Sequence, residues 1–219
     1  MASRNYLIMS NDMTLSDKKD YRTTALAAGL ERCHTVNIGN VYADIPGLQG
    51  IPEANKAQRV DLIKRYINSG AWPRSVDQRE LAPIVGGPDL VAGTALDMWL
   101  TAALAVVGNP YSCFQAIAAP QLLVGKLMVC YGISVESAVV PMPVSRLIFR
   151  KAGVAGNIQA QFDMEPMGVR QEVDAFFSEA QVIDPQQVFA IQVICRAIAA
   201  ATIVHIHNFL FEASGLVIA

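Results

Sequence analysis

Apolar positions recur at helical spacing in two places in the first third of the chain. Tyr21, Leu26 and Leu30 follow Thr14-x-x-Asp17, which resembles a capping box. They predict a helix that starts after Thr14 or Ser16 and ends near Gly29 or Cys33-His34. Pro52 suits a first helical position, Val60, Ile63 and Ile67 repeat at three and four residues, and Gly70 supplies a stop. Asp61 and Arg65 on this second helix are spaced for an i,i+4 ion pair, and Arg59, Lys64 and Arg65 form a basic face. Residues 35–38 read as a short strand, and 35–50 is the only region where a strand or hairpin is expected. A short helix from Ser75 is expected to stop near Pro83.

Further on the pattern loses its polar side. Residues 98–125 are 28 positions without a charge, and between Asp97 and Arg146 the only charged side chains are Lys126 and Glu136. This stretch predicts core or interface. It divides into a helix over 88–107, a break at Gly108-Asn109-Pro110, and new helices from Asn109 and from Pro120. A helix over 143–153 would present Arg146 and Arg150 on one face, and an acidic helix would follow over 169–180. From Asp184-Pro185 to Gly215 the pattern predicts an unbroken helix of about 29 residues, roughly 43 Å long. It is apolar all round, which suits the centre of a bundle, a seam between subunits or a membrane span. The expected fold class is therefore mostly α: a helical bundle with a long apolar C-terminal helix, as one domain over 1–219, with 1–50 as an arm or subdomain.

Composition sharpens the picture. Of 219 residues 53% are hydrophobic and 16% charged, against about 25% charged in an average soluble domain. Mean hydropathy is +0.32. A lone molecule would expose much of that apolar surface, so association is expected. Net charge is −2, which advertises no global basic field. Residues 1–151 carry 15 Lys+Arg against 12 Asp+Glu, whereas 152–219 carry 2 against 7, so the two parts attract. Cys33, Cys113, Cys130 and Cys195 are too far apart for a zinc motif and read as free thiols of a reducing compartment.

The frequent catalytic signatures are absent: no G-x-S-x-G, H-E-x-x-H, Walker loop or G-x-G-x-x-G. His205-Ile206-His207 would diverge on the expected helix, but would share a face on a strand. No catalytic residue, metal or cofactor is expected. Gly153-x-x-Gly156 follows Arg146, Arg150 and Lys151, so a flexible loop beside cations could meet a phosphodiester. Arg170 could join them, and Arg196, set in an apolar run, must find a carboxylate, a phosphate or carbonyl oxygens. The expected function is a non-enzymatic structural subunit that self-assembles. It would be coat- or nucleocapsid-like, a capsid or virion component, with copies of itself as partner and single-stranded RNA as ligand of Arg146, Arg150, Lys151, Arg170 and Arg196. The expected location is cytoplasm or virion. One alternative is a membrane-associated helical protein. Another is a small enzyme, favoured by a deep polar pocket that holds His34, His205 or His207 beside a carboxylate.

Overall fold

Thr14 caps the first helix as its sequence predicts. The Thr14 hydroxyl accepts from the Asp17 N–H while the Asp17 carboxylate reaches back to the Thr14 N–H, and α1 runs over Leu15–Thr35. A single turn, α2 (Val41–Asp44), follows, and then α3 (Lys56–Asn68), which begins a few residues later than Pro52 suggests. Gly70 ends that region in the left-handed conformation, φ +84°, which a glycine adopts without strain. The Arg65–Asp61 pair forms on α3. The basic face does not: Arg59 is buried over the Tyr42 ring, 4.5 Å from its centroid, and Lys64 is held by Asp20 at 2.7 Å.

In this computed structural model residues 5–81, 89–90, 100–114, 120–139, 142–164 and 172–215 are described. From Val76 on, every described regular element is a strand, which overturns the mostly-α bundle and the description of the chain as helical. After the short β1 (Leu7–Met9) come β2 (Val76–Arg79), β3 (Leu100–Leu104), β4 (Pro110–Ser112), β5 (Lys126–Ser137) and β6 (Val144–Lys151). Then follow β7 (Ile158–Asp163), β8 (Glu172–Ile183), β9 (Phe189–Cys195) and β10 (Ala199–Ala213). The long C-terminal helix is in fact β9 and β10 joined by a turn at 196–198. The segments at Ser75, Pro120 and Pro143 lead into strands, and the acidic helix expected over 169–180 is β8 from Glu172 on, its first three residues lying outside the described ones. Residues 35–38 close α1 instead of forming a strand. Most of the helix expected over 88–107 lies outside the described residues, and its described end is β3.

Among the described residues the strand pairings are antiparallel, and four of them nest. β7 pairs with β6, β8 with β5, β9 with β4 and β10 with β3. From β3 to β10 the described strands thus follow one long hairpin whose tip lies between β6 and β7. It is rolled up so that β5 also meets β10 and β6 also meets β9. The result is two sheets, ordered β1-β8-β5-β10-β2 with β3 also on β10, and β4-β9-β6-β7. An eight-stranded hairpin wound into a two-sheet sandwich is a jelly roll.

The larger sheet has two cores. Met128, Cys130, Val204, Ile206 and Leu210 face the smaller sheet and meet Leu147, Phe149, Phe162 and Val193. Leu127, Val129, Phe209 and Phe211 face the other way, onto Ala25, Leu30 and Ile63 of the helices. Residues of both parities are therefore apolar. Such a strand shows no alternation and cannot be told from a buried helix by periodicity. Gly29 does not end α1. It sits in mid-helix under Phe211, where a Cβ would overlap the ring.

Candidate functional site

A bulge builds the site. Along β5, Leu127, Val129 and Tyr131 face the helices, but the register slips at Tyr131–Gly132, and beyond it Ile133 and Val135 face the inter-sheet core. The slip turns Ser134 to the helix side. β10 stays in step across it: the consecutive His207 and Asn208 pair with Gly132 and Cys130, so Tyr131 is the extra residue. Gly132 is required here: a Cβ would lie 2.7 Å from the Ala175 carbonyl oxygen and 3.1 Å from His207 Cδ2. Ser134 stands opposite Asp174 of β8 on one side and His205 of β10 on the other.

His207 Nε2 lies 3.0 Å from Asp174 Oδ1 and 2.7 Å from Ser134 Oγ, and Ser134 Oγ donates to the same carboxylate at 3.2 Å. Burial tends to raise the Asp174 pKa, but hydrogen bonds from Ser10 and His207 outweigh it and hold the carboxyl below its ordinary value. Burial also lowers the His207 pKa, against the pull of Asp174. At neutral pH an ionised Asp174 thus accepts from a neutral His207. A Ser–His–Asp relay needs the serine on one ring nitrogen and the carboxylate on the other. Here both share Nε2, so the three groups form a closed triangle that ties β5, β8 and β10 together. His205, ring centroid 5.3 Å from that of His207, pairs with Glu80 at 2.7 Å.

The triangle lies at the floor of a groove of about 670 Å³ between the N-terminal half of α1 and the larger sheet. Leu15, Lys18, Lys19, Arg22 and Leu26 form its helical wall, at positions that share one face of α1. Tyr131, Asp174, Phe176 and His207 form the floor, with Ser10 beside them. The Arg22 guanidinium carbon lies 5.8 Å from the Tyr131 ring centroid and 5.9 Å from that of Phe209. A second groove, of about 490 Å³, lies further along α1 near the Arg32–Asp184 ion pair.

The basic residues singled out in the sequence go elsewhere. Arg146 is exposed on the outer face of the smaller sheet. Arg150, two positions along the same face, donates to Gln192 Oε1 at 3.0 Å and to the Gly156 carbonyl at 2.9 Å. Lys151 lines the second groove with Arg32 and Lys56. Arg196 does meet a carbonyl oxygen, that of Met142, at 3.0 Å. Arg170 lies outside the described residues. Neither groove is lined by Arg146, Arg150 or Arg196, so descriptions of the chain as RNA-binding, capsid or virion draw no support from this placement.

Sequence reasoning passed over Lys126, which is 5% exposed. Its Nζ is 3.0 Å from Asp89 Oδ1 and also meets Glu212, while Arg79 bridges the same two carboxylates. The signal was available. A single lysine in an apolar stretch needs a partner for the reason Arg196 does. Among the described residues no three His, Cys, Asp or Glu side chains converge as a metal site, and all four cysteines are buried and unpaired. No described helix is long and apolar enough to cross a membrane. No protein family matches the chain, and no curated protein matches it.

Proposed function

We propose that the chain is a structural subunit of a coat-like assembly, built from many copies of this jelly roll. The observation that carries the reading is exposed apolar surface at both ends of the sandwich. At one end Val106, Val107 and Ile198 are 50%, 59% and 66% exposed. Hydrogen bonds from Gly108 N–H to Cys195 and from Cys195 N–H to Asn109 hold their two turns together. At the other end Val124, Val154 and Ile158 are exposed. Exposed apolar groups on turns and at a strand end, away from either core, suit contact with further protein. The jelly roll serves shell proteins, lectins and cupins alike, so the fold is compatible with the reading without requiring it.

Sedimentation and negative-stain electron microscopy of the detergent-free protein test it. Large, regular particles are expected, and Ile198→Asp with Val107→Asp should leave a folded single copy. A wild-type protein that sediments as one copy at high concentration overturns the reading.

A further inference from the structure

The groove under α1 is lined by three cations, Lys18, Lys19 and Arg22, against one carboxylate, Asp174, which leaves an excess of positive charge. Among the described residues Lys18, Lys19 and Arg22 form no ion pair, and the neighbouring carboxylates on α1 are engaged elsewhere. Asp17 accepts from Thr14, and Asp20 holds Lys64 at 2.7 Å. Below these cations the floor has two characters. Tyr131 and Phe176, with Leu26 on the wall above them, offer apolar surface, and Asp174, His207 and Ser10 offer hydrogen-bonding groups.

The geometry points to a binding site for an acidic sugar, a pyranose that carries a carboxylate or sulfate group. The acid would meet Lys18, Lys19 and Arg22 through charge-assisted hydrogen bonds. The ring's C–H face would lie on the apolar floor, and its hydroxyls would donate to the carboxylate of Asp174 and exchange hydrogen bonds with its neighbours. Other anions fit less well. Inorganic sulfate is too small to reach both the cations and the floor of a groove of about 670 Å³. An acid with a purely aromatic body would strip water from Asp174 and Ser10 and return no hydrogen bond, which costs affinity. The volume lies within the range of about 300–1,000 Å³ typical of small-ligand sites.

Calorimetric titration of the full-length protein with glucuronate, N-acetylneuraminate and N-acetylglucosamine 6-sulfate tests this, with glucose and inorganic sulfate as controls. At least one acidic sugar is expected to bind, and both controls should bind at least about tenfold more weakly. Lys19→Glu and Arg22→Ala, both at exposed positions of α1, should each weaken the sugar about tenfold, with unchanged circular dichroism. Three results overturn the proposal: no acidic sugar binds, sulfate binds as well as the sugar, or both variants bind like the wild type. The titration does not depend on copy number, and sedimentation reads assembly without any sugar. Failure of one proposal is therefore distinguishable from failure of the other.

Discussion

The two sheets of the sandwich share one core but differ in what lies on their other faces. The larger sheet is packed on both sides, by the smaller sheet within and by α1 and α3 without. No described helix covers the outside of the smaller sheet, and its edge strand β7 alternates between exposed and buried positions, with Ala160 and Phe162 inward. Polar chemistry follows the same division. The larger sheet holds two polar networks, the buried Lys126 cluster and the half-buried His207 triangle. The smaller sheet wears Arg146 and Arg150 on its surface. Stability should therefore respond steeply to polar changes in the first and weakly in the second.

The largest effect is expected at Lys126. Lys126→Met would leave Asp89, itself 3% exposed, with Arg79 alone. Removing one partner of a buried ion pair costs about 3–5 kcal/mol, and urea unfolding measures it. A cost below about 1 kcal/mol, the scale of surface pairs, would mean that the cluster is solvated and that the two sheets do not differ as described. Gly29→Ala tests the helical cover itself. Its methyl must displace the Phe211 ring, and overpacking of this kind costs about 1–3 kcal/mol. In an exposed helix the same change would stabilise by up to about 1 kcal/mol, so the sign of the effect decides whether α1 is seated on β10.

This division also explains what could be read from the chain. The helices α1 and α3 were legible because they are surface helices with a cap, a stop and a polar side. β5 and β10 were not, because each serves two cores and carries apolar residues on both faces over much of its length, which blurs the period of two. Even there a trace remained. Val204, His205, Ile206 and His207 alternate apolar and polar, which is the strand pattern. It placed both histidines on one face, the arrangement that the helical reading denied. Arg146 and Arg150 share a face in either reading, since a spacing of four is in phase with both periods. The groove was not legible, because its wall and floor come from elements about 110 to 190 residues apart in sequence, joined only by the rolled hairpin.

The pH dependence of stability offers a finer test of the doubly covered sheet. Burial lowers the His207 pKa in the folded protein, so below the ordinary histidine value of 6.5 the unfolded chain binds more protons than the folded one. The stability that neutral His207 contributes is present above that value and is lost as the pH falls below it. Asp174, also lowered, adds a further loss as the pH falls below 3.8. Thermal melts should show the midpoint falling from pH 7 to pH 5, and His207→Gln should flatten that slope. A variant with the wild-type slope would mean that the imidazole is as hydrated in the fold as in the unfolded chain.

The smallest effects are expected on the uncovered face, and the two arginines there should separate. Arg146 is exposed and lies opposite Asp163 in the β6–β7 register. A cross-strand neighbour of opposite charge contributes roughly 0.2–1 kcal/mol, so Arg146→Ala should cost no more than that. Arg150 is half-buried and tethers both the Gln192 side chain and the Gly156 carbonyl, which closes the turn between β6 and β7. Hydrogen bonds from a charged donor are worth about 1.5–3 kcal/mol, less where water reaches them, so Arg150→Ala should cost more than Arg146→Ala. Equal losses in chemical unfolding would mean that the Gly156 turn does not depend on Arg150. A larger loss at Arg146 would mean that this face is covered in the folded protein, and the contrast between the sheets would then disappear.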